Sequence, residues 1–302
     1  RLTNHSGCGN DLRSNSSAAR RLVIDSLKYL VRTFDVDGFR LDLAELLGIE
    51  VLREIERELL DIKPSLHLIA EPWSFRGRLP DAMSETTYSL WGDDLREGLL
   101  DYALGKSDAS SLLRWLQGSP DSVSARPSQT VNYVESHDDY AFIDRLTERP
   151  RRNGANPTEL DIRRHRLALA VLLASPGVPM LSAGQDFLRS KKGVRNTYLR
   201  GALNALDYSL LEKHPEHHAY IRDWIALRLS ETGKLLCPAE HPPQSYYQSF
   251  ESKDGQAVAL LINADQSAGS IRLLFAVNPS SGKEVLLPVG PEQFGDAVLV
   301  AD

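Results

Sequence analysis

Helical and strand-like hydrophobic patterns alternate along the first part of the chain. Apolar residues recur at the spacing of an amphipathic helix over about residues 18–33 and again over about residues 49–62. Short apolar runs typical of buried strands follow at residues 38–43 and 66–70. This repeated helix–strand order predicts parallel strands and an α/β fold.

The same texture continues to about residue 230. Residues 74–92 are predicted to form a long loop, of a length that usually indicates a functional segment. The later predicted elements are helices over 95–104, 110–116, 160–174 and 220–229, and strands over 130–134 and 178–182.

The pattern changes beyond Gly233, where helical spacing gives way to short strand-like runs separated by Gly, Asp, Ser and Pro. Such spacing predicts a small all-β domain, an antiparallel β-sandwich, over residues 231–302. The predicted strands are residues 246–250, 257–263, 270–275 and 283–288.

Acidic residues stand at the ends of three predicted strands, namely Asp42, Glu71 and Asp138. In a parallel α/β barrel the carboxyl ends of the strands carry the active site, so we expect these carboxylates at one rim. Arg40 lies two residues before Asp42, on the same side of its strand, and His137 directly precedes Asp138. Such a set suits acid/base and nucleophilic chemistry on a glycosidic bond.

Five stretches, in this order, resemble the signature regions of one enzyme family. Three of them, DGFRLD (37–42), IAEPW (69–73) and NYVESHD (132–138), resemble later signature regions of the α-amylase superfamily of glycoside hydrolases. SGCGND (6–11) resembles a segment of its debranching members, the isoamylases, pullulanases and glycogen debranching enzymes. GVPMLSAGQD (177–186) resembles the last barrel strand and its loop, and the resemblance covers about the first 230 residues.

For the fold, the resemblance implies a (β/α)₈ TIM-type barrel, of which residues 1–230 hold only the later strands, about four to eight. A whole barrel takes roughly 250 residues. The family's first signature region, on the third strand, has no counterpart, because no apolar strand precedes Asn4-His5. We therefore expect an N-terminal barrel half to be required from outside this chain.

For the chemistry, the resemblance implies a retaining mechanism with two carboxylates. Asp42 would attack the anomeric carbon, and Glu71 would protonate the leaving oxygen and then activate water. Asp138 would bind two sugar hydroxyls, His137 would donate to the same ring, and Arg40 would keep Asp42 ionised. The alternative for Asp42 is a purely structural ion pair with Arg40.

Three further residues are candidates for saccharide binding. Trp73 directly follows the acid motif and could stack on a sugar ring, with a tryptophan packed under a loop as the alternative. Asn196 and Tyr198 belong to a stretch that resembles the debranching family's Asn-Ser-Tyr, although Val194-Arg195 stand where an Asp is usual. Asp139 is left out of the site, because the family pattern fixes only the first Asp after the His. Family members usually carry Asn at this position, so the sequence departs from the family there.

Composition narrows the partners of the chain. Its 302 residues carry a net charge of −6, which gives no electrostatic case for nucleic acid or an anionic membrane. No apolar run is long enough to span a membrane. Cys8 and Cys237 form neither a disulfide framework nor a zinc pattern, and no cofactor is expected, calcium being possible in the family but unsupported by the sequence. The compartment is not assigned.

The sequence thus predicts a debranching-type hydrolase that acts on α-1,6 branch points of glycogen, starch or pullulan, with an α-glucan as its partner. An α-1,4-acting or transferring relative would carry the same three carboxylates and stays open. So does a reading of another class, a non-catalytic α-glucan-binding remnant or truncated fragment, which the missing strands favour.

Overall fold

The chain folds as two units, each with its own hydrophobic core. The computed structural model describes residues 2–119, 124–147, 153–280 and 284–290. Unit 1 comprises Arg1–Trp91 and Pro120–Val131, and unit 2 comprises Gly92–Ser119 and Asn132–Asp302.

Unit 1 contains the predicted helix–strand–helix–strand order at its start. Its elements are α1 (Ser17–Phe34), β1 (Gly38–Leu41), α2 (Ile49–Leu60), β2 (His67–Ala70) and β3 (Ser89–Gly92), whose last residue belongs to unit 2, followed by the start of β4 (Thr130–Asn132). The strands β1 and β2 pair in parallel, as predicted, with Gly38 opposite His67 and Leu41 opposite Ala70.

The strand β3 corrects the prediction of one continuous loop over residues 74–92. It pairs in parallel with β2, Ile69 standing opposite Ser89 and Ala70 opposite Leu90. Its four residues are all buried, so the sequence shows no alternation of polar and apolar positions. The periodicity of a run this short, which also contains Ser89, cannot distinguish a strand from a loop.

The core of unit 1 is formed by the apolar face of α2 against the strands. Leu52, Ile55 and Leu59 are fully buried there, together with Leu68 of β2. Their spacing of three and four residues is the helical pattern on which the sequence prediction rests, and it is confirmed.

Unit 2 contains the remaining elements. Its helices are α3 (Asp93–Ala103), α4 (Ser110–Leu116), α5 (Phe142–Leu146), α6 (Glu159–Ala174), α7 (Gly201–Asn204), α8 (Ser209–Lys213) and α9 (Pro215–Leu229), and its strands, after the last residue of β4, are β5 (Val178–Pro179), β6 (Tyr247–Glu251), β7 (Val258–Ile262) and β8 (Leu273–Val277). The amide of Met180, just after β5, donates to the carbonyl of Asn132 at 2.8 Å. Across the described residues, no helix is both long and apolar enough to cross a membrane.

The last strands form a three-stranded antiparallel sheet in the order β6–β7–β8. Three of the four predicted β runs are thereby confirmed. The fourth, residues 283–288, is wrong for its described part, because residues 284–290 have no regular structure; residue 283 lies outside the described residues. Leu287 instead packs against a cluster around Phe250 as irregular chain, while Leu286 points into solvent.

Gly38 is the tightest point of the β1–β2 pairing, and it yields a stability prediction. A Cβ at this position would lie 2.2 Å from the backbone oxygen of His67, whereas a Cβ at Gly77 would meet nothing within 4 Å. We expect Gly38→Ala to lower the free energy of unfolding by about 1–3 kcal/mol or more, because two backbones must separate. Gly77→Ala serves as the control in urea unfolding, and equal effects of the two substitutions would contradict the pairing.

Candidate active site

A backbone turn at the end of β1 presents the first predicted carboxylate. The strand stops at Leu41, and Leu43 takes the left-handed conformation, with φ 42° and ψ 48°. A branched residue rarely adopts this conformation, which is often found at functional sites. The turn leaves the side chain of Asp42 68% exposed, so this carboxylate is accessible to a ligand.

Glu71 follows β2 and is held by the segment that follows β1. Its amide donates to the Leu41 carbonyl, and its own carbonyl accepts from the Ala44 amide, both at 3.0 Å. Its carboxylate accepts from the Leu43 amide at 2.7 Å. With only 6% of its side chain exposed, Glu71 is fixed in place, in contrast to the open Asp42.

The parallel register explains why these two acids lie at the same end of the sheet. Leu41 stands opposite Ala70 as the last pair of β1 and β2. Asp42 therefore follows β1 and Glu71 follows β2 at the same edge, although 29 positions separate them in sequence.

The guanidinium of Arg40 contacts both carboxylates. Its Nη1 donates to Asp42 Oδ1, and its Nη2 lies 3.2 Å from Glu71 Oε2. Two carboxylates held this close repel each other unless a cation compensates them. The guanidinium also stacks over the ring of Trp91, its Cζ 4.3 Å from the ring centroid, which restricts its orientation.

Trp73 is placed beside this group. Its side chain is partly exposed, and its ring lies 6.4 Å from that of Trp91 at an interplanar angle of 59°. Arg78 lies over the Trp73 ring, with its Cζ 5.5 Å from the ring centroid. An indole that is partly exposed and held by neighbouring side chains is suited to stacking on a sugar ring.

Glu45 fastens the loop that follows Glu71 to the turn that follows Asp42. Its carboxylate accepts a hydrogen bond from Ser74 Oγ and forms an ion pair with Arg76 Nη2 at 2.9 Å. Arg76 also donates to the Glu45 carbonyl at 3.0 Å. Sequence reasoning missed Glu45, because nothing in a helical-looking AELL stretch marks a carboxylate as a partner for a loop 30 residues away.

In unit 2, the segment that follows β4 carries the predicted His137 and Asp138. Their side chains are 65% and 57% exposed, and His137 Nε2 lies 3.3 Å from Asp138 Oδ2. The residues that precede them in the chain are buried, among them Tyr133, Val134 and Glu135. Packed residues thus lead into a turn whose polar side chains face solvent.

The structure brings Asn196 to this turn. Asn196 Oδ1 accepts from the Asp139 amide at 2.7 Å, and the Asn196 amide donates to the Asp139 carbonyl at 3.1 Å. Both residues take left-handed conformations, with φ 57° at Asp139 and 49° at Asn196. Tyr198 lies two residues further on with 79% of its surface exposed.

Comparison with known proteins places these geometries in context. A pullulanase of Bacillus subtilis (strain 168) is 32% identical over 253 residues, which are 75% of this chain and 34% of that protein. A glycogen operon protein GlgX homolog of Mycobacterium bovis is 30% identical over 74% of this chain and 36% of that protein. No protein-family model matches.

Solved structures agree with the sequence matches. A pullulanase from Bacillus acidopullulyticus superposes with a TM-score of 0.82 at 26% identity, over 92% of this chain and 36% of that one. A pullulanase from Anoxybacillus sp. LM18-11, complexed with maltotetraose, superposes with a TM-score of 0.76 at 27% identity, over 86% and 40%. The chain is a homologue of the pullulanase-type debranching enzymes. It spans about a third of the length of the relatives that it matches.

This debranching-enzyme homologue also contains a cavity that is unrelated to the carboxylates. It measures about 620 Å³ and lies in unit 2 between α6, α9 and β8. Three arginines and three aromatic rings line it, but no carboxylate does so among the described residues: Arg163, Arg164, Arg166, Tyr220, Trp224 and Phe275. A lining without an acid cannot supply the proton transfers of a glycosidase, so the cavity is not a candidate for that chemistry.

Sequence reasoning did not single out Glu135, which is a buried acid of this chain. Burial raises the pKa of its carboxyl to about 7, against the opposing effects of the Phe142 amide, Arg189 and Lys191. The Phe142 amide donates to it at 2.6 Å, and Arg189 Nη1 lies 3.6 Å away. Its position inside the motif ESHD was the available signal, but sequence alone does not separate a buried acid from an exposed one.

The raised pKa of Glu135 predicts a pH effect on stability. Between the unfolded value of about 4.5 and the folded value of about 7, the folded state binds more protons, so stability falls as pH rises. By pH 8 this effect lowers the free energy of unfolding by roughly 3 kcal/mol. His165 and His217 have lowered pKa values and act in the opposite direction, so the Glu135 contribution must be read from the difference between wild type and Glu135→Gln.

We expect the unfolding free energy of Glu135→Gln minus that of wild type to increase steadily from pH 5 to pH 8 in urea titrations. Glu231→Gln removes a carboxylate whose side chain is 84% exposed and is the matched control. Parallel pH curves for wild type and Glu135→Gln would contradict a protonated buried carboxyl at low pH.

Proposed function

We propose that the chain supplies the later part of the catalytic domain of a retaining glycoside hydrolase that cleaves α-1,6 branch linkages in α-glucans. The observation that carries the proposal is the contact of one arginine, Arg40, with both Asp42 and Glu71. Homology to pullulanase and to a glycogen operon protein supports the substrate class. In this proposal residues 1–230 form strands four to eight of a (β/α)₈ barrel and residues 231–302 a β-sandwich domain.

Asp42 is the proposed nucleophile, because it is the exposed member of the pair. Its carboxylate attacks the anomeric carbon, the glycosidic C–O bond breaks, and the leaving oxygen takes a proton from Glu71. The products are a glycosyl ester on Asp42, a released sugar hydroxyl and an ionised Glu71. Glu71 then removes a proton from water, which attacks the same carbon and releases Asp42.

Arg40 suits this cycle because the two acids exchange one negative charge. Before the first step the charge resides on Asp42, and after it the charge resides on Glu71. A guanidinium within reach of both carboxylates stabilises either state without moving.

The remaining roles come from the family resemblance. Asp138 and His137 bind hydroxyls of the ring that is cleaved, and Trp73, Asn196 and Tyr198 contact neighbouring sugars. An α-glucan ligand is supported by the related pullulanase structure complexed with maltotetraose. No cofactor enters the proposed steps, since carboxylates and water supply both proton transfers.

Substitution of each acid tests the assignment. On pullulan we expect Asp42→Asn and Glu71→Gln each to lower kcat/KM by about 10³-fold or more. On α-maltosyl fluoride, whose leaving group needs no proton, Glu71→Gln should still release a burst of about one fluoride per active site, because only its second step is impaired. Asp37→Asn is the control, because Asp37 precedes β1, at the end of the strand opposite to Asp42, and its side chain is 96% exposed.

The substrates distinguish the competing functions. The chain is assayed alone and joined to the coding sequence that precedes it, on pullulan and on amylose. New reducing ends from pullulan only would support debranching. Turnover of amylose would indicate an α-1,4-acting relative instead, and maltotetraose binding without turnover in both proteins would indicate a non-catalytic remnant; either result would overturn the proposal.

A further inference from the structure

Lys191 is a buried cation that neither the family resemblance nor the proposed reaction uses. Its side chain is fully inaccessible. The ammonium donates to the carbonyl of His137 at 2.9 Å and to the carbonyl of Asp139 at 3.2 Å. Burying an ammonium costs several kcal/mol unless hydrogen bonds compensate it, so these two carbonyls are what makes its position tolerable.

The backbone of Lys191 is itself fixed by a second buried group. Its amide donates to Asp144 Oδ2 at 2.8 Å. The other oxygen of Asp144 accepts from Ser190 Oγ at 2.5 Å and from the Gly154 amide at 2.6 Å. Asp144 is fully buried in α5, so the lysine side chain extends from a rigid base.

The charges that face Lys191 are balanced around it. Burial lowers the pKa of its ammonium, while the carboxylates of Glu135, Asp138 and Asp139 raise it and Arg189 lowers it. Asp139 is in turn bound from outside by Arg195, whose Nε lies 2.9 Å from Asp139 Oδ1. The turn is therefore held from the buried side by a lysine and from the solvent side by an arginine.

We propose that Lys191 is a positioning residue that fixes the backbone turn from which His137 and Asp138 reach the saccharide. Both side chains are more than half exposed, so packing does little to orient them, and the backbone of the turn sets where each side chain begins. The ammonium binds the carbonyls on either side of Asp138 and thereby sets that direction. This inference rests on the proposed saccharide-binding role of His137 and Asp138.

The neighbouring Lys192 provides a matched control, because it carries the same charge but is exposed. We expect Lys191→Met to weaken maltotetraose binding at least tenfold, and Lys192→Met to leave it unchanged, in calorimetric titrations. In a His137→Ala/Asp138→Asn background, Lys191→Met should weaken binding little further, because the lysine acts through these two side chains. Hydrogen exchange of the amides of residues 137–140 should accelerate in Lys191→Met and not in Lys192→Met.

A purely structural lysine gives a different result. It would lower the thermal midpoint while leaving maltotetraose affinity intact, or weaken binding equally with and without the side chains of His137 and Asp138, and either outcome overturns the inference. If wild type binds no saccharide, the proposed function fails, and unchanged exchange at residues 137–140 would separately overturn the role of Lys191. If Lys191→Met does not fold, Lys191→Gln, which keeps a donor without the charge, enters the same comparison.

Discussion

A single guanidinium between two carboxylates is the interaction on which the candidate site depends. Asp42 and Glu71 follow different strands, and Arg40 contacts both of them. The arginine is in turn oriented by the face of Trp91, 4.3 Å from its Cζ. Removing this cation would leave the negative charge that the two acids exchange without its compensating partner, so the geometry of the acids and the position of Arg40 are one constraint.

The fold meets this constraint through register rather than through sequence proximity. Parallel pairing of β1 and β2 ends at Leu41 and Ala70, which brings the next residues of both strands to one edge. The left-handed turn at Leu43 then directs an amide to Glu71. In unit 2 the segment that follows β4 also carries polar side chains, and there a buried lysine binds the carbonyls of the turn while an arginine contacts it from the solvent side.

Sequence reasoning succeeded where pattern and chemistry coincide. The apolar face of α2 and the paired strands β1 and β2 were predicted, because their periodicities are regular. Arg40 contacts both Asp42 and Glu71, which were predicted at one rim, while their catalytic roles stay predictions. The strand β3 was missed because four buried residues carry no alternation. Lys191 and Glu135 were missed for another reason: composition cannot indicate burial of a charged residue, since only tertiary contacts make it tolerable.

The most direct test of the central claim is a crystal structure of Glu71→Gln with maltotetraose. The account predicts a sugar ring over the Arg40-bound pair, its anomeric carbon facing Asp42, and the carboxyl carbon of Asp42 about 5–5.5 Å from that of the residue-71 amide, as in retaining enzymes. A saccharide bound elsewhere on the chain, or a separation beyond about 6.5 Å with Arg40 released from Asp42, would contradict it.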